Sequence, residues 1–175
     1  MQFTKTKLEG LYILEPELKT DERGFFARTF CKDELLKLGI VFDIVQANMS
    51  FNIKKGTLRG MHFQASPKAE DKIVQCARGT IYDVVIDLRE NSSTYGQWVG
   101  EELSEKNKRM LLIPKGCAQG FLTLTDNCLL QYLMSEFYDP KYANGVRFDD
   151  PYFHITWPIK NPIVLERDMH WPLMK

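Results

Sequence analysis

Cysteine and histidine are scarce in this sequence, which has four cysteines and three histidines among its 175 residues. No two of the cysteines (Cys31, Cys76, Cys117 and Cys128) form a C-x-x-C pair, and this excludes a zinc ribbon or a dithiol redox motif of the usual spacing. The histidines are far apart, without an H-x-H pair. We expect all four cysteines to be reduced thiols that behave as small, buried apolar residues.

The sequence also lacks a surplus of charge and a long apolar run. Lys+Arg and Asp+Glu both number 23, so the formal net charge is zero, whereas a nucleic-acid partner would favour a basic face. The first 24 residues contain no apolar core of the signal-peptide type, and no segment approaches the roughly 20 apolar residues of a membrane span. We therefore expect a cytoplasmic protein without nucleic-acid or membrane partners, folded as a single domain over residues 1–175.

Short strand-like segments between turn signals dominate the chain, and the clearest of them alternates with period two. In TIYDVVIDL (residues 80–88) the even positions 82–88 are all apolar, and the odd positions carry Asp83 and Asp87 among apolar residues. RMLLIP, GFLTL and CLLQYLMSEFY are further strand candidates, separated by turn signals such as Lys55-Gly56 and Asp126-Asn127. We expect KIVQC to form a hairpin with TIYDVVIDL across residues 77–79. The pattern predicts an all-β fold, an antiparallel sandwich or barrel.

Two segments depart from the strand pattern. CKDELLKLG (residues 31–39) predicts a short helix, with Leu35, Leu36 and Leu38 on its apolar side and Gly39 at its end. The segment WPIKNPIVLERDMHWP (residues 157–172) has too many prolines for a central strand, so we expect it to lie over the barrel as an ordered loop. The fold class is therefore all-β with a few short helices.

The stretch TLRGMHFQ places His62 in a strand-like segment, three residues after Arg59. A metal site in a small barrel would need further histidines and a carboxylate, and here His62 stands alone in its segment, so we expect no metal. A second interpretation is acid–base catalysis, because imidazole moves protons at neutral pH when a partner orients it. The third is a histidine that is merely satisfied in the core. The residues of this segment leave the last two open.

A series of longer motifs bears on this choice. The chain contains, in order, DERGFF, QANMSF, GTLRGMHFQ, DKIVQCARGTIYDVVIDLR, STYGQW, LIPKGCAQGF and FDDP. From Asp21 to Trp171 it resembles the nucleotide-sugar 3,5-epimerase family, the dTDP-4-dehydrorhamnose 3,5-epimerase-like proteins. The resemblance implies a cupin-type jelly roll that works as a homodimer without a metal or a cofactor. It also implies a nucleotide-diphosphate-linked 4-keto-6-deoxy hexose as substrate, and a role in surface polysaccharide biosynthesis.

The resemblance implies an isomerase with a defined set of site residues. His62 would be the base that removes a proton beside the ketone, and Asp168 would hold its ring. Tyr132 would be the acid on the opposite face, and Lys72 would stabilise the enolate oxygen. The substrate-binding residues implied in the same way are Arg23, Arg28, Gln46, Asn48, Arg59, Gln119 and Arg167. Arg59 and Arg23 would hold the diphosphate, with Arg23 reaching into the neighbouring subunit's site.

Three positions differ from the family pattern. Gln119 stands where the family usually has a histidine, and an amide can form hydrogen bonds but cannot relay a proton. Arg28 and Ala143 stand where glutamates are typical, at the nucleotide end of the site. These differences leave alternatives open: an epimerase that acts at C3 only or C5 only, on a GDP- or CDP-linked 4-keto sugar or heptose, a related isomerase that moves the keto group between C3 and C4, or a non-catalytic barrel that binds a nucleotide sugar.

Overall fold

The computed structural model describes residues 1–174 and contains two sheets that pack face to face. The first sheet has the order β1 (Gln2–Lys5), β2 (Tyr12–Glu15), β10 (Met110–Ile113), β7 (Lys72–Arg78), β12 (Cys128–Met134) and β5 (Gln46–Asn52). The second has the order β13 (Ala143–Gly145), β6 (Thr57–Gln64), β11 (Cys117–Thr123), β8 (Thr80–Asp87) and β9 (Trp98–Ser104), with β14 (Ile163–Val164) also paired to β6.

The remaining elements are small. Strands β3 (Leu18–Asp21) and β4 (Gly24–Ala27) form a separate hairpin, and the helices are α1 (Lys32–Leu36) and α2 (Glu166–Met169). Within residues 1–174 every strand pair is antiparallel except β14 with β6. The all-β prediction with a few short helices is therefore confirmed.

Strand β8 shows why the alternating pattern gives a sandwich. Its odd positions Ile81 and Val85 lie between the two sheets, in the same core cluster as Val74 of β7. Its even positions Val84 and Ile86 pack on the outside of the second sheet, under a layer that the C-terminal part of the chain supplies. Both faces of β8 are therefore covered, and the two aspartates on its inner face, Asp83 and Asp87, are fully buried.

The predicted hairpin between KIVQC and TIYDVVIDL is wrong, because β7 and β8 lie in different sheets. Gly79 alone separates the two strands, and the tightest hairpins need two loop residues. Gly79 has a φ of 81°, and a Cβ at this position would lie 2.7 Å from the Sγ atom of Cys128. The glycine therefore carries the chain around a corner from the first sheet to the second.

The predicted helix is present but shorter, and only one of its three leucines is buried. Leu35 packs in a core cluster with Phe42, whereas Leu36, on another side of the helix, and Leu38, beyond its end, are exposed. Gly39 adopts a φ of 76° just beyond the helix. The expectation that all four cysteines are buried fails for Cys31, which is half-exposed at the start of this helix.

The C-terminal segment is ordered and lies over β6, as predicted, although it is more than a loop. Its Ile163–Val164 pair adds a short parallel strand to the start of β6, and α2 follows directly. This pairing places α2 beside the middle of β6. No helix in the described part of the chain has the length and apolar character needed to span a membrane.

Candidate active site

The centre of the candidate site is strand β6, which carries the motif TLRGMHFQ. Gly60 of this motif has a φ of 150°, and a Cβ there would lie 2.5 Å from the Cα atom of Gly120 on β11. The missing side chain lets β6 approach β11 closely, where the register between the two strands shifts. The backbone N–H of Gly60 donates a hydrogen bond of 3.3 Å to Oδ2 of Asp168. Gly60 therefore allows β6 and β11 to approach closely, and its N–H helps to hold Asp168 in place.

His62 and Asp168 form the central pair of the site. Nε2 of His62 lies 2.8 Å from Oδ1 of Asp168, although 106 residues separate them in the chain. The carboxylate is almost fully buried, and the side chain of His62 is one-third exposed toward a cleft. The indole N–H of Trp171 and the Nε of Arg167 also approach Oδ1, each at 3.4 Å. The buried aspartate therefore orients a histidine that faces solvent.

The ionisation of Asp168 fixes which nitrogen of His62 is free. Burial alone would raise the pKa of Asp168, but the hydrogen bond and charge of His62, the N–H of Gly60 and the charge of Arg167 together lower that pKa below its usual value. An ionised carboxylate is an acceptor, so Nε2 of His62 carries the proton between them. The lone pair on Nδ1 is then available to the cleft. This arrangement suits a general base.

Lys72 enters the same cleft from β7 of the first sheet. Its side chain is 9% exposed and its Nζ atom lies 2.9 Å from Oε1 of Glu70, which is buried as well. Nζ also donates to the backbone carbonyl of His62 at 3.4 Å. An ammonium has three N–H donors, so one remains for a substrate oxygen. The lysine is thus a fixed cation beside the histidine.

Tyr132 and Gln119 complete the wall opposite and beside His62. Tyr132 lies on β12 of the first sheet, across the cleft from β6 of the second. Burial, followed by the nearby Asp83, raises the pKa of the Tyr132 phenol, so this group keeps its proton through the neutral range. Gln119 is the strand partner of His62 on β11, and its Nε2 donates to Oδ2 of Asp83 at 2.7 Å.

The polar residues predicted to bind the substrate fall into two groups. The first group lines the rim of the cleft: Arg59, Arg167 and Asn48 lie there with His62. Arg59 is held by Oδ1 of Asn52 at 2.7 Å. Gln46 adjoins this group, because its Nε2 donates to Oδ1 of Asn48 at 3.1 Å.

The second group, Arg23 and Arg28, is not brought to the cleft of its own chain. Arg23 lies at the tip of the β3–β4 hairpin, 81% exposed, with its guanidinium on Asp21. Arg28 follows β4 and donates to Oε1 of Glu34 at 2.9 Å. Within one chain, then, neither arginine contacts the residues around His62 in the described structure.

Comparison with known proteins assigns the family and the fold. Residues 5–175 match the model of the family described as dTDP-4-dehydrorhamnose 3,5-epimerase. A dTDP-4-dehydrorhamnose 3,5-epimerase of Methanothermobacter thermautotrophicus is 44% identical over 173 residues, which cover 97% of this chain and 92% of the relative. The chain belongs to the dTDP-4-dehydrorhamnose 3,5-epimerase family.

Solved structures of similar proteins agree with this assignment. A dTDP-4-dehydrorhamnose 3,5-epimerase from Bacillus anthracis, solved with TDP and PPi bound, has a TM-score of 0.96 and 41% identity, and 99% of each chain is covered. A dTDP-6-deoxy-D-glucose-3,5-epimerase from Legionella pneumophila, in complex with dTDP-4-keto-L-rhamnose, has a TM-score of 0.93 and 37% identity over 98% of this chain and 92% of the other. The cupin-type jelly roll that the motifs implied is thereby confirmed.

Two charged residues in and behind the cleft of this member of the epimerase family were not predicted as site residues: Glu70 lines the cleft, and Asp83 is buried behind Gln119. Glu70 lies in the run KAEDK, which has the composition of an exposed turn, so nothing marked it as buried. Asp83 could be recognised in the sequence as a charged residue on the inner face of a strand, where burial costs free energy unless a partner compensates it. Trp171, which contacts both members of the His62–Asp168 pair, lay in a segment predicted only as a covering loop.

Proposed function

We propose that the chain is an epimerase that inverts C3 and C5 of a dTDP-linked 4-keto-6-deoxy hexose by removing a proton next to the ketone. The observation that carries this proposal is the 2.8 Å His62–Asp168 pair in a cleft that Lys72 and Tyr132 also line. Membership of the family supports the reaction. The TDP, PPi and dTDP-4-keto-L-rhamnose bound in the solved relatives support a dTDP-sugar as substrate.

The first step is the removal of a proton. Nδ1 of His62 takes the proton from C3 or C5, and the electrons of the broken C–H bond form a C–C double bond toward C4. The electrons of the ketone then move onto the C4 oxygen, which becomes an enolate. The ionised Asp168 stabilises the imidazolium that forms on His62.

The second step returns a proton from the other side. Tyr132 extends from the sheet opposite His62, so its O–H faces the other side of a sugar held between them. The enolate electrons form the new C–H bond with the Tyr132 proton, and the ketone is restored. The phenolate then regains a proton from solvent, and the His62 imidazolium releases its proton to solvent. The carbon is inverted because the two protons pass on opposite faces.

Lys72 stabilises the intermediate. Two of its N–H groups are engaged by Glu70 and the His62 carbonyl, so the third is directed to a substrate oxygen. A fixed ammonium beside the C4 oxygen is worth more in the enolate than in the ketone, because negative charge develops there. Lys72 is therefore expected to act on kcat.

The rim supplies groups for the diphosphate and the nucleoside. Arg59 and Arg167 bring two guanidinium groups to the cleft, which suits a phosphate that accepts paired hydrogen bonds. Gln46 and Asn48 add amides on the edge strand β5. This charge pattern fits a nucleoside diphosphate whose sugar end points toward His62.

The alternatives left by the sequence have less support. The relatives are named as epimerases of dTDP sugars, which favours dTDP over GDP or CDP and epimerisation over transfer of the keto group. A non-catalytic barrel would not need a buried carboxylate on a histidine beside a held lysine. Ala143 lines the cleft near Tyr138, so the loss of a glutamate there changes contacts with the nucleotide end without touching the His62 pair.

We also propose a homodimer in which Arg23 enters the neighbouring site. Two apolar surfaces support it. The β3–β4 hairpin exposes Phe25 and Phe26 (53% and 72%), and the unpaired edge strand β5 exposes Met49 and Phe51 (72% and 51%). Exposed apolar edges of this kind are typical of interfaces. Arg23, at the tip of the same hairpin, would then reach a partner rather than its own cleft.

The epimerase proposal is tested by hydrogen exchange into the sugar. The protein is incubated in deuterated water with dTDP-, GDP- and CDP-linked 4-keto-6-deoxy hexoses, and C3 and C5 are followed by NMR. We expect deuterium at both carbons of the dTDP sugar. Replacing His62 with alanine should lower the exchange rate by about 100- to 10,000-fold, the usual share of a general base.

The matched control is His154→Asn. His154 is exposed, and its φ of 51° is one that asparagine adopts readily. It should leave the rate unchanged. Exchange that persists in His62→Ala would contradict the assigned base, and a wild-type protein without exchange on all three sugars would contradict the epimerase proposal itself.

A further inference from the structure

Two buried oxygen atoms near Lys72 have no hydrogen-bond partner. In residues 1–174 the buried side-chain polar atoms without a partner are Oε2 of Glu70 and Oδ1 of Asp83. Such atoms are rare, because leaving a buried acceptor unsatisfied costs free energy. Glu70 contacts Lys72 directly, and Asp83 accepts a hydrogen bond from Gln119, which lines the same cleft as Lys72. Two such atoms close to Lys72, a residue of the proposed site, point to a function for the two carboxyl groups.

Glu70 is the charged partner of Lys72. Their 2.9 Å contact is almost closed to solvent, with the side chains 3% and 9% exposed. A buried ammonium and carboxylate at this distance hold one another in a single geometry, and removing either leaves an unpaired charge. Oε1 of Glu70 therefore fixes the direction from which Lys72 approaches the cleft.

The surroundings of Asp83 are those of a neutral acid. It is fully buried, and its one hydrogen-bond partner within residues 1–174 is the amide of Gln119, at 2.7 Å. An ionised carboxylate in such a place would need a cation or several donors. Burial raises the pKa of Asp83 to about 8, although the Gln119 hydrogen bond and the charge of Lys72 lower it. At neutral pH the group is mostly protonated.

We propose that Glu70 and Asp83 are positioning residues for Lys72: the carboxylate of Glu70 contacts its ammonium, and Asp83 is a buried acid that binds Gln119 on the same cleft wall. This inference rests on the proposed epimerase function. The three side chains together carry no net charge before the reaction. Ionising Asp83 would add a negative charge near the position where the enolate forms, and would compete with the substrate for Lys72. The neutral acid is therefore a condition for activity.

Within residues 1–174 no cation is in direct contact with the carboxyl group of Asp83. Gln119 on β11 faces it, Tyr132 on β12 and Cys76 on β7 lie within its electrostatic reach, and Glu101 is its register partner on β9. Burial raises the pKa of Cys76 to about 12, so this thiol stays neutral with the phenol of Tyr132. In the alkaline range near 8, Asp83 is thus the member of this buried set that titrates.

The variant that tests Asp83 is Asp83→Asn, which keeps the shape and the neutral state. Steady-state kcat is measured from pH 6 to 10 with the dTDP sugar. We expect the wild type to lose activity as pH rises through about 8, and Asp83→Asn to match the wild type at pH 6.5 but lack this loss. An unchanged alkaline loss, or a fall of more than about tenfold at pH 6.5, would overturn the assignment of a neutral acid.

The variants that test Glu70 form a double-mutant cycle with Lys72. Glu70→Ala should lower kcat by about tenfold with little change in KM, because only the held lysine is displaced. Glu70→Gln retains an acceptor and should recover most of this loss. In a Lys72→Met background Glu70→Ala should have no further effect on kcat. Circular dichroism shows whether each variant is folded.

Two results would overturn the role of Glu70. One is an equal loss of kcat in the presence and absence of Lys72, which would mean that Glu70 acts elsewhere. The other is a Glu70→Gln variant as impaired as Glu70→Ala while still folded. Either result presupposes an active wild-type enzyme, so it is distinguishable from failure of the epimerase proposal, in which the wild type itself shows no exchange.

Discussion

At the scale of the residue, Asp168 determines which nitrogen of His62 has a free lone pair toward the cleft. Asp168→Asn has nearly the same shape, but its amide can donate to Nε2, and this would move the imidazole proton to Nδ1. We expect kcat to fall on the order of 100- to 10,000-fold with a folded protein. Asp149→Asn, at an exposed ion pair with Arg147, is the matched control and should keep full activity. Full activity in Asp168→Asn would contradict the role of Nδ1 as base.

The same carboxylate also links the site to stability. The folded-state pKa of Asp168 lies below its usual value, through its hydrogen bond to His62 and its neighbouring donors despite burial. Its contribution to stability is therefore present above the ordinary aspartate pKa and is lost as pH falls through the lowered one. The opposite sign holds for Asp83, whose raised pKa means that stability is lost as pH rises toward about 8. The ionised form of Asp168 and the protonated form of Asp83 are thus the forms that stabilise the fold.

At the scale of the element, β6 depends on the absence of a side chain at Gly60. Gly60→Ala would place a Cβ atom 2.5 Å from Gly120 Cα, a contact that only backbone movement can relieve. We expect a loss of stability of about 2–4 kcal/mol in urea denaturation. Gly39→Ala is the control, because its φ of 76° is also positive but a Cβ there meets nothing within 4 Å. Equal losses in the two variants would show that φ strain, rather than the close approach to β11, explains Gly60.

The elements also show how far sequence reasoning reaches. Period-two alternation identified β8, and apolar segments between turn signals identified β10, β11 and β12. The sequence prediction was wrong at Gly79, because whether the chain forms a hairpin or crosses to the other sheet depends on which sheet the next strand joins. Asp168 was assigned through resemblance, since a partner 106 residues away leaves no local signal. Glu70 was missed because burial of a charged turn follows only from what packs over it.

At the scale of the whole molecule, Arg59 and Arg167 line the cleft of their own chain. In the described structure Arg23 and Arg28 contact Asp21 and Glu34 instead. Arg23 is 81% exposed at the tip of the β3–β4 hairpin, close in sequence to the exposed Phe25 and Phe26, and in the described structure it does not line the cleft around His62. In a symmetric dimer the same hairpin on each chain meets the same surface on the other, so each site would be completed by its neighbour. Arg59, by contrast, lies in the cleft of its own chain.

This difference predicts complementation between inactive variants. Arg23→Ala and His62→Ala are purified separately, mixed in equal amounts under conditions that exchange subunits, and assayed for deuterium exchange. Half of the dimers are then mixed, and each has one site with both native residues, so about one quarter of wild-type activity should return. Mixing Arg59→Ala with His62→Ala should restore nothing, because both changes fall in the site of their own chain. If the mixture of Arg23→Ala and His62→Ala shows no deuterium exchange, although mass spectrometry confirms that subunits have exchanged, then Arg23 does not act in the neighbouring site.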